Sequence, residues 1–493
     1  MAPWTPLSKS RFTAGLQCHR QLWWKAHEPR APELNPDATL QARFDMGNRV
    51  GERARQEFPN ATLIDLDHRR PFAAVEATRK ALAAGASVIL EASFFEDNIF
   101  VAVDALSKEG DGWVVTEVKA TIKVKPHHIP DAAVQAHVID KAGLRVARVE
   151  LMHLNRAHRH PDQGPLFTRA DITQDVAALR DGIADEARAQ MRMLEGMLPD
   201  VEPGPHCTAP YNCPFLARCN APLPDHAIED LHRISAKKLG ELRDDGIETV
   251  DQIPSDFPLN GIQERHRTAI LRNEQIIEPG LQRALAAYRY PIAMLDFETV
   301  NPALPLWSGC SPFGKIPVQF SVHTLSEDGE VSHDAYLAEG EGDPRPGVAE
   351  ALVRALDGAA TVLAWNAVFE KECLRNLAEN CPEHADALLE ARANTEDLLP
   401  VVRNHVYHPE FRGSFSIKDV VPALLPEMAY DDLEVTDGQV ASFLLERLLC
   451  RPGELSAEAR QALREQLVAY CQHDTAVMVD LFRFLNRVAA DAD

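Results

Sequence analysis

Basic residues are scarce in this 493-residue chain: 51 Lys and Arg face 74 Asp and Glu, leaving a formal net charge of −23. Affinity for a phosphate backbone comes from Lys and Arg, so tight non-specific DNA binding by the whole chain is not expected. Also missing is any apolar run long enough to span a bilayer, and the opening MAPWTPLSKS lacks a signal-peptide-like apolar stretch. A cytoplasmic location with no membrane attachment is the expectation. No internal repeat and no low-complexity tract is found. The nine cysteines fall at irregular spacings unlike a secreted disulfide framework. In a reducing compartment they are free thiols or metal ligands, and their spacing has to decide which.

What remains is ordinary globular composition, 45% hydrophobic and 25% charged, which excludes wholesale disorder. The length exceeds what one hydrophobic core sustains, so two or three domains are expected. The acidity is unevenly spread. Residues 1–160 hold 22 basic and 19 acidic side chains, leaving 29 and 55 for the rest. A basic groove near the amino-terminal region is therefore compatible with an acidic total.

Three regions separate. Residues 1–222 alternate helical patterns with apolar strands and end in a stretch rich in Cys and Pro. Residues 223–288 are polar and helical, and ISAKKLGELRDDGIETVDQIP reads as helix, Gly-containing turn, helix. That pair is a packed connector or a helix-hairpin-helix-like element able to hold a DNA backbone. Residues 289–493 open with the strand PIAMLDFETV and continue as a second α/β region.

In the first region, FVAVDALSKEGDGWVVTEVKA reads as a β-hairpin turning at KEGDG. Alternation along a strand puts Glu117 and Lys119 on one face, where Asp104 of the partner strand can meet them. Two carboxylates and an ammonium suit a packed core poorly. They suit a site that holds Mg²⁺ and orients an attacking water, or else a solvated face with a surface ion pair. The following helix, PDAAVQAHVIDKAG, turns Gln135 back toward the sheet. With LSKSRFTAGLQCHRQLWW near the start, VAVDAL and TEVKA, this region resembles the RecB-family PD-(D/E)XK nucleases, including the CRISPR-associated ones. The resemblance implies Asp104 and Glu117 as metal ligands, Lys119 as catalytic and Gln135 as support. Many relatives add a His on an early helix; GNRVGERARQEF has none, and Glu52 is the candidate substitute.

Cys207, Cys213 and Cys219 follow one another at intervals of six in HCTAPYNCPFLARC, a loop too rich in Pro and Asn to bury thiols as core. An Fe–S or Zn²⁺ site needs a fourth ligand, for which Cys18, His206 and His19 are candidates. Some RecB-like nucleases staple the ends of the domain with a [4Fe–4S] cluster held by one early and three late cysteines. By that resemblance Cys18 joins Cys207, Cys213 and Cys219 around such a cluster, with Zn²⁺ or no metal as alternatives. Cys310, Cys373, Cys381, Cys450 and Cys471 read as packing residues.

In the third region, Asp296 and Glu298 share one face of an apolar strand, and a buried pair of carboxylates calls for a cation. TVLAWNAVFEKECL runs from strand to helix and presents Asn366, Phe369 and Glu370. LVAYCQHDTAVMVDLF is helical, with Tyr470 and Asp474 one turn apart on one face. This order of motifs resembles the DEDDy branch of the DnaQ-like exonucleases, which have an RNase H-like fold. The resemblance implies Asp296, Glu298, Glu370 and Asp474 as ligands of two divalent ions, Mg²⁺ or Mn²⁺, and Tyr470 as the residue that positions the attacking water. Glu370 stands where that family has Asp, and Asp397 is a possible additional or substitute ligand. The stretch GSFSIKDVVPALLPEMAYDDL resembles an uncharacterised bacterial family that joins both domain types.

The resulting expectation is an α/β protein with a PD-(D/E)XK domain, a helical connector and an RNase H-like domain, acting on DNA as a two-metal-ion phosphodiesterase in repair, recombination or defence. A helicase partner is possible. The alternatives are a DNA- or helicase-binding protein with one degenerate site, and an RNA-processing exonuclease.

Overall fold

The computed structural model describes residues 6–66, 70–220, 222–428, 435 and 437–492. The fold is mixed α/β with open sheets, in two compact units: Met1–Pro222 with Ala303–Gly314, and Leu223–Pro302 with Lys315–Asp493. Residues 223–288 thus belong to the second unit. Among the described residues, no helix is long and apolar enough to cross a membrane.

The first unit contains strands β1 (Leu7–Ser8), β2 (Thr62–Leu63), β3 (Val88–Glu96), β4 (Ile99–Glu109), β5 (Gly112–Lys119), β6 (Val146–Leu154) and β7 (Phe167–Asp171). They form one sheet in the order β2-β3-β4-β5-β6-β7, with β1 running parallel to the start of β4. Its helices are α1 (Lys9–Gln17), α2 (His19–His27), α3 (Ala38–Arg55), α4 (Pro71–Ala83), α5 (His128–Lys141), α6 (Thr173–Leu194) and α7 (Leu216–Cys219). Strands β4 and β5 form the expected hairpin around Gly110 and Asp111, with Gly110 at φ +59° in the left-handed region that Gly tolerates. Beyond it, β5 and β6 pair in parallel across α5. Val103 and Val115 pack with Ala132, Ala136 and Val176 on one side of the sheet. Ala105 and Met152 pack with Val50 and Ala54 on the other. Strand β5 is covered on both faces, so a carboxylate on it lies inside the protein.

The second unit contains β8 (Ile276–Ile277), β9 (Ile292–Val300), β10 (Ile316–Leu325), β11 (Val331–Leu337), β12 (Thr361–Ala364), β13 (Thr395–Asp397) and β14 (Val406–Tyr407). A five-stranded sheet runs β11-β10-β9-β12-β13, and β8 pairs separately with β14. β10 is antiparallel to β9 and β11, while β12 is parallel to β9 and β13. The helices are α8 (Ala236–Asp244), α9 (Gly261–Arg272), α10 (Leu281–Leu285), α11 (Arg345–Ala355), α12 (Val368–Asn380), α13 (Ala385–Ala393), α14 (Leu399–His405), α15 (Ile417–Leu424), α16 (Gly438–Cys450) and α17 (Ala457–Ala492). Central β9 alternates cleanly. Ala293, Leu295 and Phe297 pack with Leu352 and Leu374 of α11 and α12, whereas Ile292 and Met294 pack with Val477 and Leu481 of α17. The period of two then turns Asp296 and Glu298 toward α17.

The helix, turn, helix reading after α8 needs correction. Gly246 makes the turn at φ +73°, but the next segment forms only a 3₁₀ turn, Val250–Gln252. Ile247, Thr249 and Val250 are β-branched and Pro254 follows at once, so no α-helical ladder can develop before α9. In the distinctive stretch GSFSIKDVVPALLPEMAYDDL, α15 and a 3₁₀ turn at Pro426–Met428 are formed; residues 429–433 lie outside the described residues.

Candidate metal centres

Four carboxylates converge in the second unit. Asp296 and Glu298 come from β9, Asp474 from the middle of α17 and Glu370 from the first turn of α12. Among the described residues, Asp296, Glu298 and Asp474 are the set of three whose ligand atoms all lie within 4.8 Å of one another. Glu370 is buried, with Oε2 lacking a hydrogen-bond partner among the described residues. Burial, and then Asp474, Glu298 and Glu370, push the Asp296 carboxyl well above its ordinary range. Burial and Asp474 do the same to Glu298, with Lys418 pulling the other way. Burial raises Glu370 to about 8. Carboxyls so placed are starved of positive charge.

Tyr470 lies one turn before Asp474 and is buried. Its hydroxyl accepts a hydrogen bond from Lys418 Nζ at 3.0 Å, and the ammonium stands 4.9 Å from the ring centroid. Cys471 Sγ donates to Asp296 Oδ2 at 3.5 Å. Lys418 and Cys471 were not singled out from sequence as site residues; the side-chain pattern of a helix start does not say which strand it will face. Asp397 is in electrostatic reach of Glu370. Its Oδ1, however, accepts from the Asn366 and Leu399 amides at 2.9 and 3.0 Å, which shapes the turn between β12 and α12. Asn366 sits in that turn at φ +63°. Phe369 has Lys315 Nζ 4.8 Å from its ring centroid.

In the first unit, the β4–β5 register extends to place Asp104 opposite Glu117. Val118 N–H donates to Asp104 Oδ2 at 2.6 Å. Glu117 Oε1 accepts from Lys9 Nζ at 2.7 Å and lies 2.8 Å from Lys119 Nζ, while Gln135 Nε2 donates to Oε2 at 2.5 Å. Lys119 also donates to Asp131 Oδ2 at 2.7 Å. Burial opposes the charge on Glu117, but Lys9 and Lys119 outweigh it and hold its carboxyl below the usual range. Burial and then Glu117 lift Asp104 to about 7. Lys9 and Asp131 were missed from sequence, because each reaches the strand from a separate helix.

Glu91 is a further unforeseen neighbour. The β3–β4 register puts it opposite Asp104, and its φ of +56° is a strained backbone for a residue with a Cβ. Alternation on β4 breaks at the same point, since Val103 and Leu106 enter one core cluster although three residues apart. Glu91 Oε1 accepts from Arg55 Nη2 at 2.8 Å. Glu52, one turn earlier on α3, is exposed.

The four cysteines of the proposed staple are not paired in disulfides. Cys18 sits between α1 and α2, Cys207 closes a 3₁₀ turn, and Cys219 ends α7. Gln17 Nε2 ties the loop down by donating to the carbonyls of His206 and Tyr211 at 2.8 and 2.7 Å. Cys213 N–H donates to the Cys207 carbonyl at 2.8 Å, and Phe215 packs against Trp24 at 5.1 Å. Burial pushes the Cys213 thiol up; Gln21 hydrogen-bonds it, and Cys18 and Cys219 are both within electrostatic reach. Cys207 Sγ accepts from the Gly204 amide at 3.4 Å and lies 3.7 Å from His206 Nε2. His19 instead faces Glu186 at 3.3 Å. An open surface depression of about 360 Å³ beside Cys18 is lined by Cys18, His19, Glu186 and His206 among others, and not by Cys207, Cys213 or Cys219. Of the other five cysteines, four are buried and Cys450 is half-buried.

A family profile described as a domain of unknown function (DUF2779) matches residues 293–416. That span includes Asp296, Glu298 and Glu370; Tyr470 and Asp474 lie beyond it. No curated protein matches the chain. Among solved structures, the family B DNA polymerase from the hyperthermophilic archaeon Pyrobaculum calidifontis is similar at 15% identity over 40% of this chain, with a TM-score of 0.25. The match spans 27% of the polymerase chain.

Proposed function

We propose that this chain is a two-site, metal-dependent nuclease, with a PD-(D/E)XK site in the first unit and a DnaQ-like 3′→5′ exonuclease site on an RNase H-like second unit. The observation that carries the reading is the meeting of Asp296, Glu298 and Asp474 within 4.8 Å, beside a buried Glu370 whose Oε2 has no hydrogen-bond partner among the described residues. Such a set fits divalent cations, because oxygen donors held this close and this dry repel one another without one. Bound Mg²⁺ or Mn²⁺ would supply the Lewis acid for the attacking water and the leaving oxygen. The chain's own groups do the rest. The four carboxylates fix the position of that charge, and Tyr470, its hydroxyl held by Lys418, orients the nucleophile.

In the first unit Asp104 is the carboxyl short of positive charge, which fits a cation ligand. Glu117 is shared between a candidate ligand role and two ammonium groups, of which Lys119 is placed to orient water. The cysteine loop fits a thiolate-ligated group in its donor chemistry, with Cys18 and Cys219 each in electrostatic reach of Cys213 and Cys207 in the same loop; we propose a [4Fe–4S] cluster, with Zn²⁺ as the alternative occupant.

The test is digestion of 3′- and 5′-labelled single-stranded and duplex DNA, and of matched RNA, by wild type, Lys119→Ala and Asp296→Ala. Two activities, each removed by one substitution, are expected. Inert wild type with Mg²⁺ and with Mn²⁺ would overturn the reading in favour of a binding protein.

A further inference from the structure

We propose that Tyr211 is a stacking platform for an unpaired base, and that with Lys123 and Lys125 it guides a single nucleic-acid strand to the first site. This deepens the nuclease reading and rests on it. The cysteine loop carries Tyr211, and its backbone is pinned where Gln17 donates to the Tyr211 carbonyl at 2.7 Å. The ring stands 5.1 Å from that of His127, edge to face at 65°, and the residue remains 59% exposed. Asp131 and Lys119 both act on its hydroxyl, and Lys119 lies 2.8 Å from Glu117. An exposed ring therefore sits at the rim of the carboxylate and ammonium cluster.

His127 belongs to the loop that leaves β5 directly after Lys119, and this loop also bears the exposed Lys123 and Lys125. A π-face with exposed cations on the loop it touches is the combination that binds single strands: bases stack on the ring, and phosphates pair with the lysines. A tyrosine serving only to brace the loop would be buried against His127; this residue is left exposed. Lys123 and Lys125 belong to the stretch where basic side chains outnumber acidic ones, with 22 against 19 in residues 1–160, a stretch that ends before Tyr211.

The experiment measures binding of the full-length chain to a labelled single-stranded DNA and its matched RNA, with Ca²⁺ replacing Mg²⁺ to suspend cleavage. Tyr211→Ala is expected to weaken the preferred strand roughly tenfold, and Tyr211→Phe to retain most of the affinity. Removing one base from the oligonucleotide at the stacked position should cause the same loss, and the two losses should not add. Lys123→Ala and Lys125→Ala should each lower the slope of log affinity against log salt by about 0.7. Because the Tyr211 side chain makes none of the bonds that pin the loop, a folded variant is expected, checked by its circular dichroism. Wild-type affinity in Tyr211→Ala, or losses that add at every base position, would overturn the platform while Asp104-dependent cleavage kept the nuclease reading intact. If wild type neither binds nor cleaves a strand, both fall.

Discussion

Glu370 offers the sharpest test of the second site, through Glu370→Gln without divalent cations. The native state raises this carboxyl from 4.5 to about 8 by burial. Between those values the folded chain holds a proton that the unfolded chain releases, so stability falls as pH rises through the window. At pH 7 the penalty for keeping Glu370 protonated is on the order of 3 kcal/mol, and at pH 5 it is below about 1 kcal/mol. Gln keeps the shape and carries no such dependence. In EDTA, Glu370→Gln should therefore gain about 2 kcal/mol on wild type between pH 5 and pH 7, a relative rise in Tm of roughly 4–8 °C for a unit of this size. Scanning calorimetry at both pH values reads this directly. Saturating Mg²⁺ should reverse the order by stabilising wild type more than the variant. If both proteins show the same pH dependence in EDTA, Glu370 is not a carboxyl awaiting a cation and its place in the site is wrong.

Two other substitutions probe parts that sequence left open. Cys213→Ser should abolish the brown colour and the broad absorbance near about 400 nm expected of anaerobically purified protein; a colourless wild type with stoichiometric zinc would rule out the cluster. Lys418→Met removes the ammonium that lowers the Glu298 carboxyl and holds the Tyr470 hydroxyl. The pH profile of exonuclease activity should then move to higher pH, because a more basic Glu298 needs more alkaline conditions to bind a cation. An unchanged profile would place Lys418 outside the working site.

Where the chain placed its chemistry on local periodicity, sequence sufficed. Asp296 and Glu298 share a face because β9 alternates, and Tyr470 and Asp474 align because α17 is helical there. The β4–β5 hairpin declared itself through its turn. Contacts closing over long separations were invisible: Lys9 lies 108 residues before Glu117, and Lys418 lies 52 before Tyr470. Nothing in a nine-residue helix such as α1 says which carboxylate its first residue will meet. Local strain was hidden for a different reason. Glu91 reads as an ordinary strand residue, and only the pairing of β3 with β4 forces its left-handed backbone opposite Asp104. The 3₁₀ turn at Val250–Gln252 shows the opposite error, in which a plausible helical pattern yielded to β-branching and Pro254.

The two carboxylate sites differ in how far the protein itself supplies the missing positive charge, and that difference orders their need for metal. In the second unit the Lys418 ammonium offsets Glu298 only in part, and the pKa values of Asp296, Glu298 and Glu370 are all driven upward. In the first unit Asp104, Glu117 and Asp131 face Lys9 and Lys119, and Glu117 is already ion-paired twice. A divalent ion gains more where the field is less compensated, and at Glu117 it has to displace Lys9 first. Exonuclease activity should therefore saturate at lower Mg²⁺ than activity dependent on Lys119. Lys9→Met should narrow the gap by lowering the Mg²⁺ needed at the first site. Titrating both activities in one protein preparation decides the matter: the reverse order, or a Lys9→Met variant that needs more Mg²⁺, would mean that Lys9 supports the site instead of competing with its cation.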